Sequence, residues 1–123
     1  MVIDTSVFIE FLRAKDKTKT TLYSIAENKQ LFISSITLYE LYMGATTHEK
    51  KNDIIKLTGD LPVLAFDEIA AKKAADIYHD LRVKNKMIGF RDIFIGATCL
   101  VYEMPVKTIN KKDFERIDGI NIE

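Results

Sequence analysis

The 123-residue sequence has little of several residue types, and each shortage excludes a class of site. Its single cysteine, Cys99, rules out an internal disulfide and a cysteine-rich zinc site, and we expect it to be buried as a small apolar residue. The two histidines form no serine–histidine–aspartate order, and no glycine-rich phosphate loop is present. No signal peptide is recognisable, and no apolar run approaches the roughly 20 residues that cross a bilayer. We therefore expect a cytoplasmic protein that does not contact a membrane.

An excess of charge of one sign is also missing. Lysine plus arginine and aspartate plus glutamate number 18 each, so the net charge is zero. No bulk field therefore attracts nucleic acid or a membrane surface. A polyanionic substrate is still compatible with the composition if the basic residues lie on one face. The length predicts one domain over residues 1–123, and 47% apolar residues are enough for a substantial core.

Short apolar runs alternate with helical patterns along the chain. Strands are predicted at residues 2–4, 31–33, 62–66 and 105–108, with a last edge strand at 121–122. Helices are predicted at residues 7–14, 20–29, 36–45, 46–59, 68–85 and 93–102, with a short one at 111–114. Such an alternation favours an α/β fold in which helices cover both faces of a parallel sheet.

Polar residues before several helices predict where those helices begin. Thr5 or Ser6 is a candidate cap for the first helix, and Ser34 or Ser35 for the helix that follows the second strand. Asp67 is the candidate cap of the long helix. Each of these side chains can accept a hydrogen bond from a free backbone N–H of the first turn.

The helix predicted at residues 36–45 has apolar side chains on almost every side, so we expect it to be well buried. Glu40 is its only charged residue. A buried carboxylate is costly unless it is paired, protonated or bound to a metal. The alternative is that Glu40 lies on a narrow solvated stripe. Tyr39 and Tyr42 flank it and suit core or interface packing better than stacking on bases.

Three further acids lie where a parallel sheet would bring them towards one another. Asp4 ends the first strand, Asp92 lies in the first turn of an apolar helix, and Asp113 follows the fourth strand. The carboxyl ends of parallel strands share one edge of the sheet, where ligands bind. Together with Glu40, these side chains would repel one another without a cation. Oxygen-only ligands suit Mg²⁺ or Mn²⁺.

Such a cluster would hold one or two ions, activate a water and stabilise the in-line displacement at a phosphodiester. Each acid also has an ordinary structural interpretation. Asp92 suits the positive end of a helix dipole, Asp113 suits a turn or cap, and Asp4 suits a turn. The spacing alone leaves both interpretations open.

Two basic groups lie close to these acids in the sequence. The first precedes Asp92 and the second surrounds Asp113. Their members are Arg82, Lys84, Lys86 and Arg91, and then Lys107, Lys111, Lys112 and Arg116. Both groups would flank the pocket and position phosphates, or else form ordinary solvated faces.

Four segments resemble the PIN-domain ribonucleases, and among them the VapC toxins of prokaryotic toxin–antitoxin pairs. The segments are VIDTSVFIEFL at residues 2–12, ISSITLYELYMGA at 33–45, RDIFIGATCL at 91–100 and VKTINKKDFERIDGINI at 106–122. Each motif is short, but their order and the domain length make the combination fairly specific. The resemblance extends from Val2 to the C-terminus and is weak in the middle third.

This resemblance implies a three-layer α/β/α sandwich with a mainly parallel central sheet, and Mg²⁺- or Mn²⁺-dependent endonucleolytic cleavage of RNA. It implies a homodimer inhibited by a small cognate antitoxin, whose C-terminal segment reaches the acidic site. By motif, the catalytic and metal-binding residues are Asp4, Glu40, Asp92 and Asp113, and the supporting polar residues are Thr5, Ser6, Thr108 and Asn110. Lys86, Arg91, Lys111 and Lys112 are the candidates for contacting RNA phosphates.

Other functions fit the sequence less well. A receiver-type signalling domain needs a second acid beside Asp4 and a phospho-acceptor at the end of a middle strand, where only Asp67 is available. Lys107 matches its late lysine loosely. A haloacid-type phosphatase needs an aspartate where Ser6 stands. A PIN-like binding module without catalysis is the remaining alternative, although all four acids are present.

Overall fold

The structure is a computed structural model that describes residues 1–123. The strands are β1 (Val2–Ile3), β2 (Ile33–Ser34), β3 (Val63–Leu64) and β4 (Val106–Lys107). The helices are α1 (Thr5–Arg13), α2 (Thr21–Ser24), α3 (Ser35–Gly44), α4 (His48–Thr58), α5 (Glu68–Val83), α6 (Phe90–Val101) and α7 (Lys111–Phe114), with a 3₁₀ turn at Lys17–Lys19. None of the helices combines the length and the apolar character that a membrane crossing needs.

The strands form one narrow parallel sheet. β1 pairs with β4, β2 pairs with β3, and a bridge from Val2 to Phe32 joins the two pairs. Ile122 bridges Val106 on the far side, also in parallel. The order is therefore β3-β2-β1-β4, followed by the bridge to Ile122. The predicted parallel sheet and its last edge segment are confirmed, although each strand is only two residues long.

Two apolar cores lie on opposite faces of this sheet because successive strand residues point in opposite directions. Val2 packs with side chains of α5 and α6, among them Ile77 and Ile95. Ile3 packs with side chains of α1, α3 and α4, among them Phe8 and Ile54. The three-layer α/β/α sandwich is thus confirmed. Cys99 is buried in the first core, as predicted, and burial raises the pKa of its thiol to about 12.

The caps of two helices are confirmed. Ser34 Oγ accepts a hydrogen bond from the Thr37 N–H at 3.0 Å, and Asp67 Oδ1 accepts one from the Ala70 N–H at 3.0 Å. The prediction for α1 was wrong, because Asp4 occupies the capping position, with no side-chain cap, and Thr5 already lies in the first turn. Ser6 instead donates its hydroxyl hydrogen to the Asp4 carboxylate, a stronger acceptor than any neutral group.

The helix predicted at residues 20–29 is much shorter in the structure. It ends at Ser24, and Ile25 has an extended backbone. Ile25 and Leu22 both lie against the core formed around Ile3, so Ile25 makes its core contact from an extended conformation.

The expectation that α3 is well buried was also wrong. Only Thr37 and Leu41 are buried within it, whereas 63% of Tyr39 is exposed. Core packing of Tyr39 and Tyr42 is therefore excluded. The other apolar residues of the helix divide between two surroundings, because Ile36 and Leu38 are partly buried against the two cores whereas Tyr42 and Met43 are exposed.

Candidate active site

The carboxyl ends of β1 and β4 carry polar side chains at the centre of the sheet. Asp4 directly follows β1, and Asp113 lies on α7 just after β4. Asp92 is in the first turn of α6, and Glu40 is in the middle of α3. The charges of Asp4, Asp113 and Glu40 all act on Asp92, so the four residues form one group. We call it the acid cluster.

Asp4 is held rigidly. Its residue is 3% exposed, and its Oδ2 accepts hydrogen bonds from Ser6 Oγ at 2.7 Å and Thr108 Oγ1 at 2.8 Å. The Ile109 N–H donates to Ser6 Oγ at 3.3 Å, which ties this serine to the chain after β4. These two hydroxyl donors lower the free-energy cost of burying the Asp4 carboxyl group, and they fix the orientation of its side chain.

Glu40 is held through both of its oxygens. Oε1 accepts from Thr5 Oγ1 at 2.9 Å, and Oε2 accepts from Arg91 Nη1 at 2.7 Å. The Thr5 hydroxyl is also 2.9 Å from Thr37 Oγ1, so its single hydrogen is shared between Glu40 and Thr37. The Glu40 side chain is 11% exposed. It is therefore a paired carboxylate rather than part of a solvated stripe.

Asn110 connects the other two acids. Its Nδ2 donates to Asp92 Oδ2 at 3.2 Å and to Asp113 Oδ2 at 2.8 Å. Burial raises the pKa of Asp92 from 3.8 to about 7, and the charges of Asp4 and Asp113 contribute to the rise. Near neutral pH the Asp92 carboxyl group is therefore present in both its protonated and its ionised form, because burial and the neighbouring acids disfavour the ionised one.

The donor set fits a hard divalent cation. It consists of carboxylate oxygens, with amide and hydroxyl groups beside them and no histidine or cysteine, which suits Mg²⁺ or Mn²⁺. A cation would also relieve the repulsion that raises the pKa of Asp92. No three acidic, histidine or cysteine side chains already stand as a ready-made ligand group. The side chains of Asn110 and Arg91 hold the carboxylates in their present positions.

The basic residues of the two groups differ in their contacts and in their exposure to solvent. Arg91 pairs with Glu40, and Lys111 and Lys112 are exposed in the first turn of α7 beside Asp113. Lys86 is exposed and lies near Asp118, whose pKa it helps to lower. Of the remaining members, Arg82 contacts Tyr78, Lys84 pairs with Asp80 and Asp118, and Arg116 donates to the carbonyl of Met87. Lys107 lies half-buried in β4.

The fold recurs in known proteins. The family model described as "PIN domain" matches residues 1–120. The chain belongs to the PIN-domain family. The expectation from its four segments is thereby confirmed.

This PIN domain has relatives among the VapC ribonucleases. It is 31% identical to Ribonuclease VapC1 of Rickettsia felis, in an alignment that covers 99% of the chain and 93% of the relative. It is 38% identical to Ribonuclease VapC3 of Methanocaldococcus jannaschii over 78% of the chain and 94% of that protein. The similarity therefore covers nearly the whole of both relatives.

Solved structures resemble the PIN domain over its full length. DNA-bound VapBC from Salmonella typhimurium contains a chain with a TM-score of 0.82 and 30% identity, covering 99% of this chain and 95% of that one. VapBC2 from Rickettsia felis, bound to a promoter DNA fragment, gives a TM-score of 0.86 at 21% identity, covering 99% and 96%. At 21% identity, the similarity to VapBC2 from Rickettsia felis shows the shared fold alone.

Two features of the PIN-domain site were not found from the sequence. The first is Thr37, which supports Thr5 from the neighbouring helix, and the second is the pairing of Arg91 with Glu40. A threonine inside an apolar helix, three residues before the glutamate, is the only sequence signal for the first. The second has no local signal, because the partners are 51 residues apart.

Proposed function

We propose that this protein is a divalent-metal-dependent endoribonuclease toxin that hydrolyses RNA phosphodiester bonds and is held inactive by a cognate antitoxin. The observation that carries the proposal is the acid cluster. Its side chains come from segments far apart in sequence, and burial together with the charges of the neighbouring acids raises the pKa of Asp92 to about 7. The similarity to VapC ribonucleases supports the same reaction.

Mg²⁺ or Mn²⁺ would be held by Asp4, Asp92 and Asp113, with Glu40 as a further ligand. When bound, such an ion lowers the pKa of a water and stabilises negative charge on the phosphate. The protein's own contribution is orientation. Ser6 and Thr108 fix Asp4, Thr5 fixes Glu40, and Asn110 spans Asp92 and Asp113.

RNA is the proposed substrate because the VapC relatives of this chain are named as ribonucleases. Lys111 and Lys112 are exposed in the helix that carries Asp113 and would position the backbone next to the acids. Lys86 and Arg91 are the other candidates for phosphate contacts. An RNA substrate places the proposed activity in the cytoplasm.

A cleft between α1, α3 and α4 supports an antitoxin as the partner. Its volume is about 570 Å³, and Ile9, Leu12, Leu41 and Ile54 supply apolar lining. Glu40 also lines it, so the cleft is continuous with the acid cluster. A peptide segment with apolar side chains and one basic residue would fill the cleft and pair with the acids. DNA-bound VapBC from Salmonella typhimurium is among the solved structures that this chain resembles.

The exposed side of α3 supports a homodimer. Tyr39, Tyr42 and Met43 are 63%, 39% and 55% exposed on this helix, which leaves apolar surface for a second copy to cover. Light scattering of the purified chain tests this part of the proposal, and a monomer at micromolar concentration contradicts it.

The test of the activity is RNA cleavage by the purified chain with Mg²⁺ or Mn²⁺, with the cleavage sites mapped. We expect Asp4→Asn and Asp92→Asn to abolish cleavage and EDTA to stop the wild-type protein. Asp76→Asn is the matched control, because Asp76 is exposed on α5 with no recorded hydrogen bond or ion pair. Equal activity in all variants, or activity that survives EDTA, contradicts the mechanism.

A receiver-type function is not favoured. The only candidate phospho-acceptor, Asp67, uses its side chain to cap α5. Labelling of Asp67 by acetyl phosphate is the outcome that would support that function. The inactive binding module is likewise not favoured, since all four acids lie in one cluster. Failure of the chain to bind a divalent cation in calorimetry would support it.

A further inference from the structure

Arg91 is the only basic side chain that forms an ion pair with the acid cluster. Its Nη1 lies 2.7 Å from Glu40 Oε2, and the other ion pairs lie on the surfaces of α5 and the C-terminal loop. Arg91 immediately precedes Asp92 at the start of α6. A permanent positive charge is therefore already paired with one of the four acids.

The other acids of the cluster are satisfied by neutral donors. Asp4 accepts from the hydroxyls of Ser6 and Thr108. Asp92 and Asp113 share the amide of Asn110, which is likewise neutral. Only Glu40 has its charge compensated by a cation, so Arg91 supplies all the direct ionic compensation within the cluster.

The two side chains of this ion pair differ in how firmly the rest of the protein holds them. The Glu40 side chain is 11% exposed and is also held by Thr5, whereas the Arg91 side chain is 63% exposed. An exposed arginine in an ion pair gains little free energy from it, because water screens the charge and the long side chain loses rotamer freedom. Arg91 can therefore leave Glu40 at low cost, while Glu40 stays in place.

We propose that Arg91 is an internal counter-ion that competes with the divalent cation for Glu40 and swings out of the acid cluster when the cation binds. The inference rests on the proposed function, because it assumes that the cluster takes a divalent cation. It makes Arg91 a positioning residue that sets the cation affinity through Glu40. Once released, its guanidinium is free at the rim of the site, where it can meet an RNA phosphate.

Competing roles for Arg91 predict different effects on cation binding. If it competes, removal of its charge strengthens the binding. If it mainly ties α6 to α3 and holds Glu40 in a productive position, removal weakens the binding. If it contacts RNA alone, cation binding in the absence of RNA does not change. The sign of one measured change therefore separates the three roles.

The experiment is calorimetric titration of Mn²⁺ into the metal-free full-length chain, without RNA, at one fixed pH and low ionic strength. We expect Arg91→Gln to bind Mn²⁺ about five-fold more tightly, since an exposed ion pair is worth up to about 1 kcal/mol, or roughly that factor in affinity. Arg91→Lys keeps the charge and should bind like the wild type. Lys73→Gln removes the same charge from an exposed position on α5 and should leave the affinity unchanged.

Equal or weaker Mn²⁺ binding by Arg91→Gln overturns the inference, as does an equal gain in Lys73→Gln. Near-UV circular dichroism checks that Arg91→Gln is folded, and Arg91→Met is the second variant if it is not. A wild-type chain that takes up no Mn²⁺ means that the metal dependence in the proposed function is wrong, and the inference fails with it. Wild-type binding without a gain in the charge-removing variants rejects the inference alone.

Discussion

Replacing Asp92 by asparagine should stabilise the metal-free protein, and the gain should grow with pH. In the folded state burial and the neighbouring acids raise the pKa of Asp92 from 3.8 to about 7. The folded chain therefore keeps this proton over a range in which the unfolded chain has lost it. Its free energy of unfolding falls as the pH rises from about 4 to about 7. Asparagine carries no charge at any pH and escapes this loss.

The size of the effect follows from the same values. One pKa unit corresponds to about 1.4 kcal/mol, so the rise from 3.8 to about 7 sets an upper bound of about 4 kcal/mol. Asp92 is only partly buried, and water reduces its interaction with the other acids. We therefore expect a gain of about 1–2 kcal/mol at pH 8, or roughly 3–8 °C in Tm for a domain of this size.

The assay is thermal unfolding in EDTA at pH 5 and pH 8 for the wild type, Asp92→Asn and the control Asp76→Asn. The difference in Tm between Asp92→Asn and the wild type should be clearly smaller at pH 5 than at pH 8, because at pH 5 the wild type has lost only part of this stability. Adding Mn²⁺ at pH 8 should raise the Tm of the wild type and have less effect on Asp92→Asn, because a ligand stabilises the state that binds it. An Asp92→Asn protein no more stable than the wild type at pH 8, or a gain equal at both pH values, refutes the reasoning.

Two further predictions concern the surroundings of the acids. Thr108→Val should lower the Tm by several degrees and RNA cleavage by at least about ten-fold, because buried Asp4 loses a hydrogen bond worth about 1.5–3 kcal/mol. Thr46→Val, at an exposed position, is the control. An equal effect in both variants contradicts the role given to Thr108. Lys111→Gln should weaken RNA binding and reduce the slope of log affinity against log salt by about 0.7, with Tm unchanged. A slope that changes as much in Lys73→Gln argues against a phosphate contact at Lys111.

Much of the fold follows from patterns that act over a few residues. The apolar runs before Asp4 and after Pro62 predict strands, and both are present in the sheet. The caps Ser34 and Asp67 could be predicted from the sequence because a capping side chain accepts a hydrogen bond from a backbone N–H within the same turn. The prediction of a helix over residues 20–29 was wrong for the opposite reason. Its local periodicity was adequate, but the helix ends after Ser24 and Ile25 packs against the core in an extended conformation.

The sequence by itself determined which acids lie at strand ends and helix starts, and so which carboxylates a parallel sheet gathers at one edge. Only the tertiary structure decided how each one is held. Asn110 joins Asp92 to Asp113 across a loop, and Arg91 reaches Glu40 on another helix. The physical reason is the distance along the chain between the residues that interact. A strand end or a cap depends on neighbours in the chain, whereas these contacts depend on how helices pack across the sheet, which no short stretch of sequence specifies.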